Sequence, residues 1–148
     1  MLLQTIKYIS ASVLIFILSV YPQEERYTKG AENGYMWLAM DDLVLIYNTS
    51  KENYLSSILE RFRVTNEKYP EIASLSCRDD IDRLFSDGKS DVFSLEDVVK
   101  EIDRFYSRND NLIIPIIFAY CHTIKNFAGV STDELNNYKK DVLTFCNE

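Results

Sequence analysis

Glycine and proline are scarce in this chain of 148 residues, with four and three copies respectively. This scarcity favours helices joined by short loops, and no segment of the chain is of low complexity. The length corresponds to one domain that can bury a core without metals or other staples. A content of 47% hydrophobic and 26% charged residues is that of a globular protein.

Positive charge is in deficit, because 16 Lys and Arg stand against 23 Asp and Glu, for a net charge of −7. A negative surface repels phosphate backbones, so nucleic-acid binding is not expected. The chain also lacks a Walker loop and the motifs GxGxxG, GxSxG and HExxH. We therefore predict a protein that is not an enzyme and has no catalytic residues, no cofactor and no metal site.

Only one histidine is present, His122, and it follows Cys121 directly. Neighbours on a helix point about 100° apart, which argues against a Cys–His nucleophile pair formed by these two residues. The acidic run at Asp79, Asp80 and Asp82 lacks the spacing and the glycine of a calcium loop. We interpret it as a solvated acidic helix start.

The three cysteines, Cys77, Cys121 and Cys146, form an odd set without CxxC spacing. We expect buried or partly buried free thiols in a reducing compartment. The alternative is one disulfide and one free cysteine, which would require an oxidising compartment.

The N-terminal residues 1–21 contain one Lys and then an apolar stretch from Tyr8 to Tyr21. This stretch has the length of a signal-peptide core and is shorter than a membrane span. No small-residue cleavage site ends it, so an uncleaved anchor that attaches the protein to a membrane is one alternative. A segment that packs on the domain is another.

Two further features follow this segment. Residues 22–34 are polar and predict a linker. Asn48 begins an Asn-Thr-Ser sequon, which is a glycosylation site if the domain is lumenal. Otherwise Asn48 ends one helix, and Thr49 or Ser50 caps the next.

Apolar spacing predicts six helices in the domain from 35 to 148. Two of them begin with an S-x-x-[DE] capping box, at Ser94 and Ser131. The predicted helices are Tyr35–Tyr47, Lys51–Lys68, a short third one from Ser76 to Phe85, one that starts at Ser94, one from about Ile114, and one that starts at Ser131.

The segment Asn111–Phe127 is the most hydrophobic part of this domain, and Leu112 to Tyr120 carries no charge. A helix that is apolar all round is buried in a bundle or spans a membrane, and this one is too short to span. Pro115 fits only in a first helical turn, and Gly129 predicts the end of the helix. We predict an all-α bundle around this central hydrophobic helix, preceded by the hydrophobic N-terminal segment.

The order of segments resembles that of a known family. It consists of YMWLAMDDLVLIYNTSKE, then a helix with aromatic and Leu positions, then VVKEIDRFYSRND, which runs into IIPIIFAYCHTIKNF. The positions in the second helix are Tyr54, Leu55, Ile58, Leu59 and Phe62. Over about Tyr35 to Cys146 this arrangement is similar to the poxvirus Bcl-2-like family, which implies a Bcl-2-like bundle.

The resemblance implies a non-enzymatic virulence factor of the host cell cytoplasm. Such proteins bind host signalling or apoptotic proteins and inhibit innate immune (NF-κB and interferon) signalling or apoptosis, and a homodimer is left open. By position, a partner groove would involve Ile58, Phe62, Val98, Ile102 and Phe105. Trp37, beside two methionines, is a further partner-binding candidate. The alternative interpretation for all six residues is core packing.

A second hypothesis belongs to another class of protein. It is an exported helical binding or immunity-type protein that uses residues 1–21 as a signal peptide and can hold one disulfide. Such a protein would be lumenal, secreted or anchored to a membrane.

Overall fold

Helices account for most of the structure. A computed structural model describes residues 23–47, 50–88 and 93–148 and is 76% helical, so the predicted all-α class is confirmed. The signal-like segment 1–21 and Asn48 lie outside the described residues. The α-helices of the described part are α1 (Gly34–Tyr47), α2 (Lys51–Ser56), α3 (Ile58–Lys68), α4 (Arg78–Ser86), α5 (Leu95–Tyr106), α6 (Ile116–Phe127) and α7 (Thr132–Asn147).

Two serines begin helices where the capping boxes predict them. The Ser94 hydroxyl accepts a hydrogen bond from the Asp97 N–H (3.2 Å), and the Asp97 carboxylate accepts one from the Ser94 N–H (2.9 Å). Ser131 and Glu134 make the same reciprocal pair at the start of α7. Each box satisfies two backbone donors that the helix itself leaves unpaired.

The prediction of one continuous helix from Lys51 to Lys68 is wrong. The structure has two helices there, and the break between α2 and α3 lies at Ser57. The Ser57 hydroxyl donates to the Tyr54 carbonyl (3.0 Å), and the Ser57 N–H reaches the same oxygen (3.2 Å). A serine that bonds back to the preceding turn competes with the regular helical pattern. After the break, Leu59 is 60% exposed, although the apolar spacing places it on the inner face.

The predicted linker 22–34 is also wrong, because residues 23–33 fold against the domain. They form a 3-10 helix, Gln23–Arg26, and two short antiparallel strands, β1 (Tyr27–Thr28) and β2 (Ala31–Glu32). The Thr28 hydroxyl donates to the Ile113 carbonyl at 2.6 Å.

Asn33 fixes this N-terminal hairpin to the bundle. Its side chain is buried, and its Nδ2 donates to the Glu25 carbonyl (2.8 Å) and to the Thr28 hydroxyl (3.0 Å). Its backbone forms a β-bridge with Pro115. A buried polar group that is fully hydrogen-bonded can belong to a core, which a polar composition alone does not reveal.

Helix α6 lies at the centre of the bundle and packs against α3, α4, α5 and α7. Pro115 occupies the N-cap position, so the helix begins at Ile116 rather than near Ile114. There the missing N–H of proline is not needed, and its carbonyl accepts from the N–H groups of Phe118 and Ala119. The buried residues of α6 are Ile116, Ile117, Phe118, Ala119, Cys121, Thr123 and Ile124.

The end of α6 matches the prediction. Gly129 follows the helix with a φ of +81°, a left-handed conformation that favours glycine. Two 3-10 helices, Pro70–Leu75 and Asn109–Asn111, complete the connections of the described bundle. In the part of the chain that the structure describes, no helix has both the length and the apolarity to cross a lipid bilayer.

Candidate functional site

A disulfide joins the start of α4 to the central helix. Cys77, the residue before α4, is bonded to Cys121 in α6, with their Cα atoms 5.1 Å apart. The expectation of free thiols is therefore wrong for these two residues, and the alternative of one disulfide and one free cysteine is the observed arrangement. Cys146 is the free cysteine, and burial raises the pKa of its thiol to about 11.

A buried ion pair links the same two helices one turn further along. The Lys125 ammonium lies 2.6 Å from Oδ2 of Asp80, and the Asp80 side chain is only 7% exposed. The interpretation of Asp80 as part of a solvated acidic helix start is therefore wrong. Residues three or four apart share a helix face, so Cys77 and Asp80 both meet the face of α6 that carries Cys121 and Lys125.

Beside this double link, a groove of about 630 Å³ opens between α3 and α4, with α6 as its floor. One wall consists of α3 residues, the other includes Ile81 and Asp82 of α4, and the disulfide lies at the base. The principal lining residues are Ile58, Leu59, Phe62, Asn66, Ile81, Ile117, Tyr120 and the bonded Cys77 and Cys121.

Most of the side chains that line the groove are apolar, and some of them are exposed enough to contact a ligand. Phe62 packs edge-on against the core ring of Phe118, with centroids 6.2 Å apart. Leu59, at 60% exposure, is one of the most exposed large apolar residues in the described chain. Burial raises the pKa of Tyr120, so its hydroxyl remains protonated and can donate a hydrogen bond.

Charged side chains of both signs form the rim. On α3, Arg63 hydrogen-bonds to Glu60 at 2.6 Å, and this bond holds the pKa of the Glu60 carboxyl below its usual range. Arg78 and Asp82 lie on the α4 side. An apolar floor with a charged rim resembles the anatomy of a protein–protein contact.

The six predicted partner-binding residues do not come together. Ile58 and Phe62 line the groove. Trp37 is fully buried in α1, and its indole N–H donates to Asp103 at 2.8 Å. The ammonium of Lys51 lies 5.3 Å from the centre of the indole ring.

The three predicted residues of α5 belong to the core or its edge. Val98 and Ile102 are buried, with 8% and 0% exposure, so neither offers a contact surface. Phe105 is half-buried and packs against Tyr106 and His122, with ring centroids 5.3 and 5.0 Å away. Core packing, the alternative interpretation, therefore describes Trp37, Val98 and Ile102, and also Ile58, which lines the groove with only 4% exposure.

The sequence reasoning missed the α4 wall of the groove and both links beneath it. One signal was present, because Cys77 with Asp80 and Cys121 with Lys125 have same-face helical spacings. Each of the two helical segments carries a cysteine and a charged residue on one face, and this pattern could have suggested that Cys77 faces Cys121 and Asp80 faces Lys125. Nothing in the pattern, however, indicates which face of α4 meets α6.

The chain matches no protein-family model, no curated protein and no solved structure. Within the described ranges, no group of three or more His, Cys, Asp or Glu side chains is placed to hold a metal ion.

Proposed function

We propose that this chain is an exported, non-enzymatic helical protein of the binding or immunity type, which contacts a protein partner through the groove between α3 and α4. The observation that carries the proposal is the disulfide between Cys77 and Cys121. Cytosolic thiols are kept reduced, whereas a structural disulfide persists in secreted, lumenal and periplasmic proteins.

One property of the sequence and one of the structure support export. Residues 1–21 have the charge order and the apolar length of a signal peptide. Cys146 stays unpaired in a half-buried position at the end of α7, so the set of three cysteines is compatible with an oxidising compartment. The fate of the signal-like segment, cleaved or retained as an anchor, does not change the side of the membrane on which the domain folds.

The shape of the groove supports recognition of an apolar protein segment. Two helices form its walls and a third forms its floor, which is the geometry that accepts an amphipathic helix or a loop with apolar anchors. Leu59 and Phe62 supply apolar contact area, and the charges of Arg78 and Asp82 at the rim contribute orientation more than affinity.

Export can be tested with the full chain expressed in a cell that has a secretory route. We expect the domain outside the cytosol, with a mass that shows one disulfide and a single alkylatable thiol. Recovery of the chain in the cytosol with three reactive thiols would refute export.

The groove can be tested with two matched variants of α3. Leu59→Glu places a charge at the groove, while Val64→Glu places the same charge at a site of similar exposure, 53%, on the same helix but outside the groove. We expect partner capture by crosslinking to be lost only in Leu59→Glu, with both variants as helical as the parent. Equal capture by the two variants would contradict the groove as the contact.

A second candidate function is that of a cytosolic Bcl-2-like inhibitor of innate immune signalling or apoptosis. The central position of α6 among four other helices favours it. The disulfide favours export instead. A pull-down from host cytosol with residues 23–148, which keep the N-terminal hairpin, tests this candidate, because recovery of a signalling or apoptotic protein that Leu59→Glu abolishes would support it.

A further inference from the structure

We infer that the Cys77–Cys121 disulfide is a redox-sensitive switch, whose reduction detaches α4 from α6 while α5, α6 and α7 stay packed. The release of α4 is a change in the fold and needs no partner. Its consequence for binding rests on the proposed function, because α4 is one wall of the groove.

Helix α4 has little apolar anchorage of its own. Its buried residues are Asp80 and Leu84, Ile81 is half-buried, and Phe85 is 69% exposed. By contrast, four residues of α5 are buried: Val98, Val99, Ile102 and Tyr106. A helix of nine residues is also too short to be stable in water without tertiary support.

The ion pair between Asp80 and Lys125 cannot replace the disulfide. Burying both charges incurs a desolvation penalty that offsets much of their attraction. The covalent bond at Cys77 also fixes the N-terminal end of α4, where the N-cap residue makes no capping bond and the Ser76 hydroxyl accepts only from the Arg78 N–H (3.2 Å). Once that bond is broken, Leu84, at 7% exposure, is the one buried apolar side chain of α4 left to hold the helix.

The position of the disulfide makes the reaction feasible in the folded protein. Both cysteines line the groove but are only 2% and 3% exposed, so a small dithiol reaches the sulfurs from the groove when the weakly anchored α4 opens locally. Its thiolate attacks one sulfur, the Cys77–Cys121 bond breaks, and a mixed disulfide forms. The second thiol of the reagent then displaces the cysteine, so the protein gains two electrons and two protons while the reagent leaves as a cyclic disulfide.

Hydrogen exchange read by mass spectrometry tests the inference on the full chain, before and after treatment with dithiothreitol without denaturant. We expect amides of residues 78–86 to exchange at least tenfold faster after reduction, while those of α5 and α7 keep their rates. Unchanged exchange in α4 would overturn the inference. Loss of protection in all helices together would also overturn it, because the disulfide would then hold the whole domain.

Two variants complete the test. Cys77→Ala with Cys121→Ala reproduces the reduced state without reagent, and we expect the same local loss of protection. Cys146→Ser is the matched control, because it removes a thiol but keeps the disulfide, and it should exchange like the parent. A double variant that is unfolded throughout would refute a local switch.

The same samples separate this inference from the proposed function. If α4 is released on reduction but partner capture is equal in oxidised and reduced protein, the result supports the switch and refutes the groove as the partner contact. If exchange in α4 does not change, the switch falls whatever the partner does.

Discussion

The ring of Tyr106 fills the space that a side chain at Gly34 would need. A Cβ built on Gly34 would lie 2.5 Å from Cδ1 of Tyr106 and 2.9 Å from Cα of Leu112. Hydrogen bonds hold this close approach, because the Gly34 N–H donates to the Leu112 carbonyl (2.9 Å) and the Tyr106 hydroxyl donates to the Ile114 carbonyl (2.8 Å). The start of α1 is thereby fixed to the segment that leads into α6.

Gly34→Ala should therefore destabilise the domain by about 1–3 kcal/mol, the usual cost of overpacking a close contact. Urea unfolding followed by circular dichroism measures the change. In a Tyr106→Ala background the same substitution should cost less, because only the contact with the Leu112 backbone remains. Strictly additive costs of the two substitutions would show that the ring is not the obstacle.

The parts of the fold that depend on local chemistry could be predicted from the sequence. Ser94 and Ser131 begin helices because each brings its own carboxylate partner three residues later, and Gly129 ends one because of its φ. The start of α6 was predictable to within two residues from Pro115, because proline is tolerated only at the start of a helix.

The parts that depend on tertiary contacts could not be predicted. The break at Ser57 follows from a hydrogen bond that other helical serines can make without a break. Asn33 is buried because the hairpin supplies its hydrogen-bond partners. The polar composition of this segment predicts a linker and gives no sign of those contacts. The disulfide that lines the groove joins Cys77 to Cys121 across 44 positions, and spacing alone does not select that pair among three cysteines.

Lys125→Met should destabilise the domain by about 3 kcal/mol, because the buried Asp80 carboxylate loses its close partner and keeps only the exposed Arg83 guanidinium at 3.8 Å. Thermal or urea unfolding of the oxidised protein measures this effect. Asp80→Asn combined with Lys125→Met should cost less than the single change, since no unpaired charge remains.

Lys100→Met is the matched control for that experiment. Lys100 pairs with Glu96 at 2.8 Å on the surface of α5, and both side chains are more than 60% exposed. Exposed pairs contribute little, so we expect a change below about 0.5 kcal/mol. A comparable loss in both variants would mean that the position of the Asp80–Lys125 pair in the interior has no energetic role.

The stability of the domain should decrease as the pH falls from about 7 to about 5. Burial lowers the pKa of His122 from its ordinary value near 6.5, Lys139 lowers it further, and Glu101 opposes them. Because the folded protein binds this proton less readily than the unfolded chain, the stabilisation is present above the ordinary pKa and is lost below it.

The chain has a single histidine, so His122 is the side chain whose ordinary pKa lies inside this pH window. Urea unfolding at several pH values measures the slope. His122→Gln should flatten it between pH 5 and 7 while leaving the decline at lower pH. An identical slope in the variant would assign the effect to other groups.

Cys146 should react slowly with iodoacetamide in the native protein. Burial raises the pKa of its thiol to about 11, so the reactive thiolate is about a hundredfold scarcer at neutral pH than in an unfolded chain. Native and urea-unfolded protein can be compared by mass spectrometry with the disulfide intact. Lys29 lowers this pKa in part, so Lys29→Met should slow the native reaction further. Equal rates in native and unfolded protein would contradict the burial of the thiol, and alkylation at more than one cysteine would contradict the Cys77–Cys121 bond.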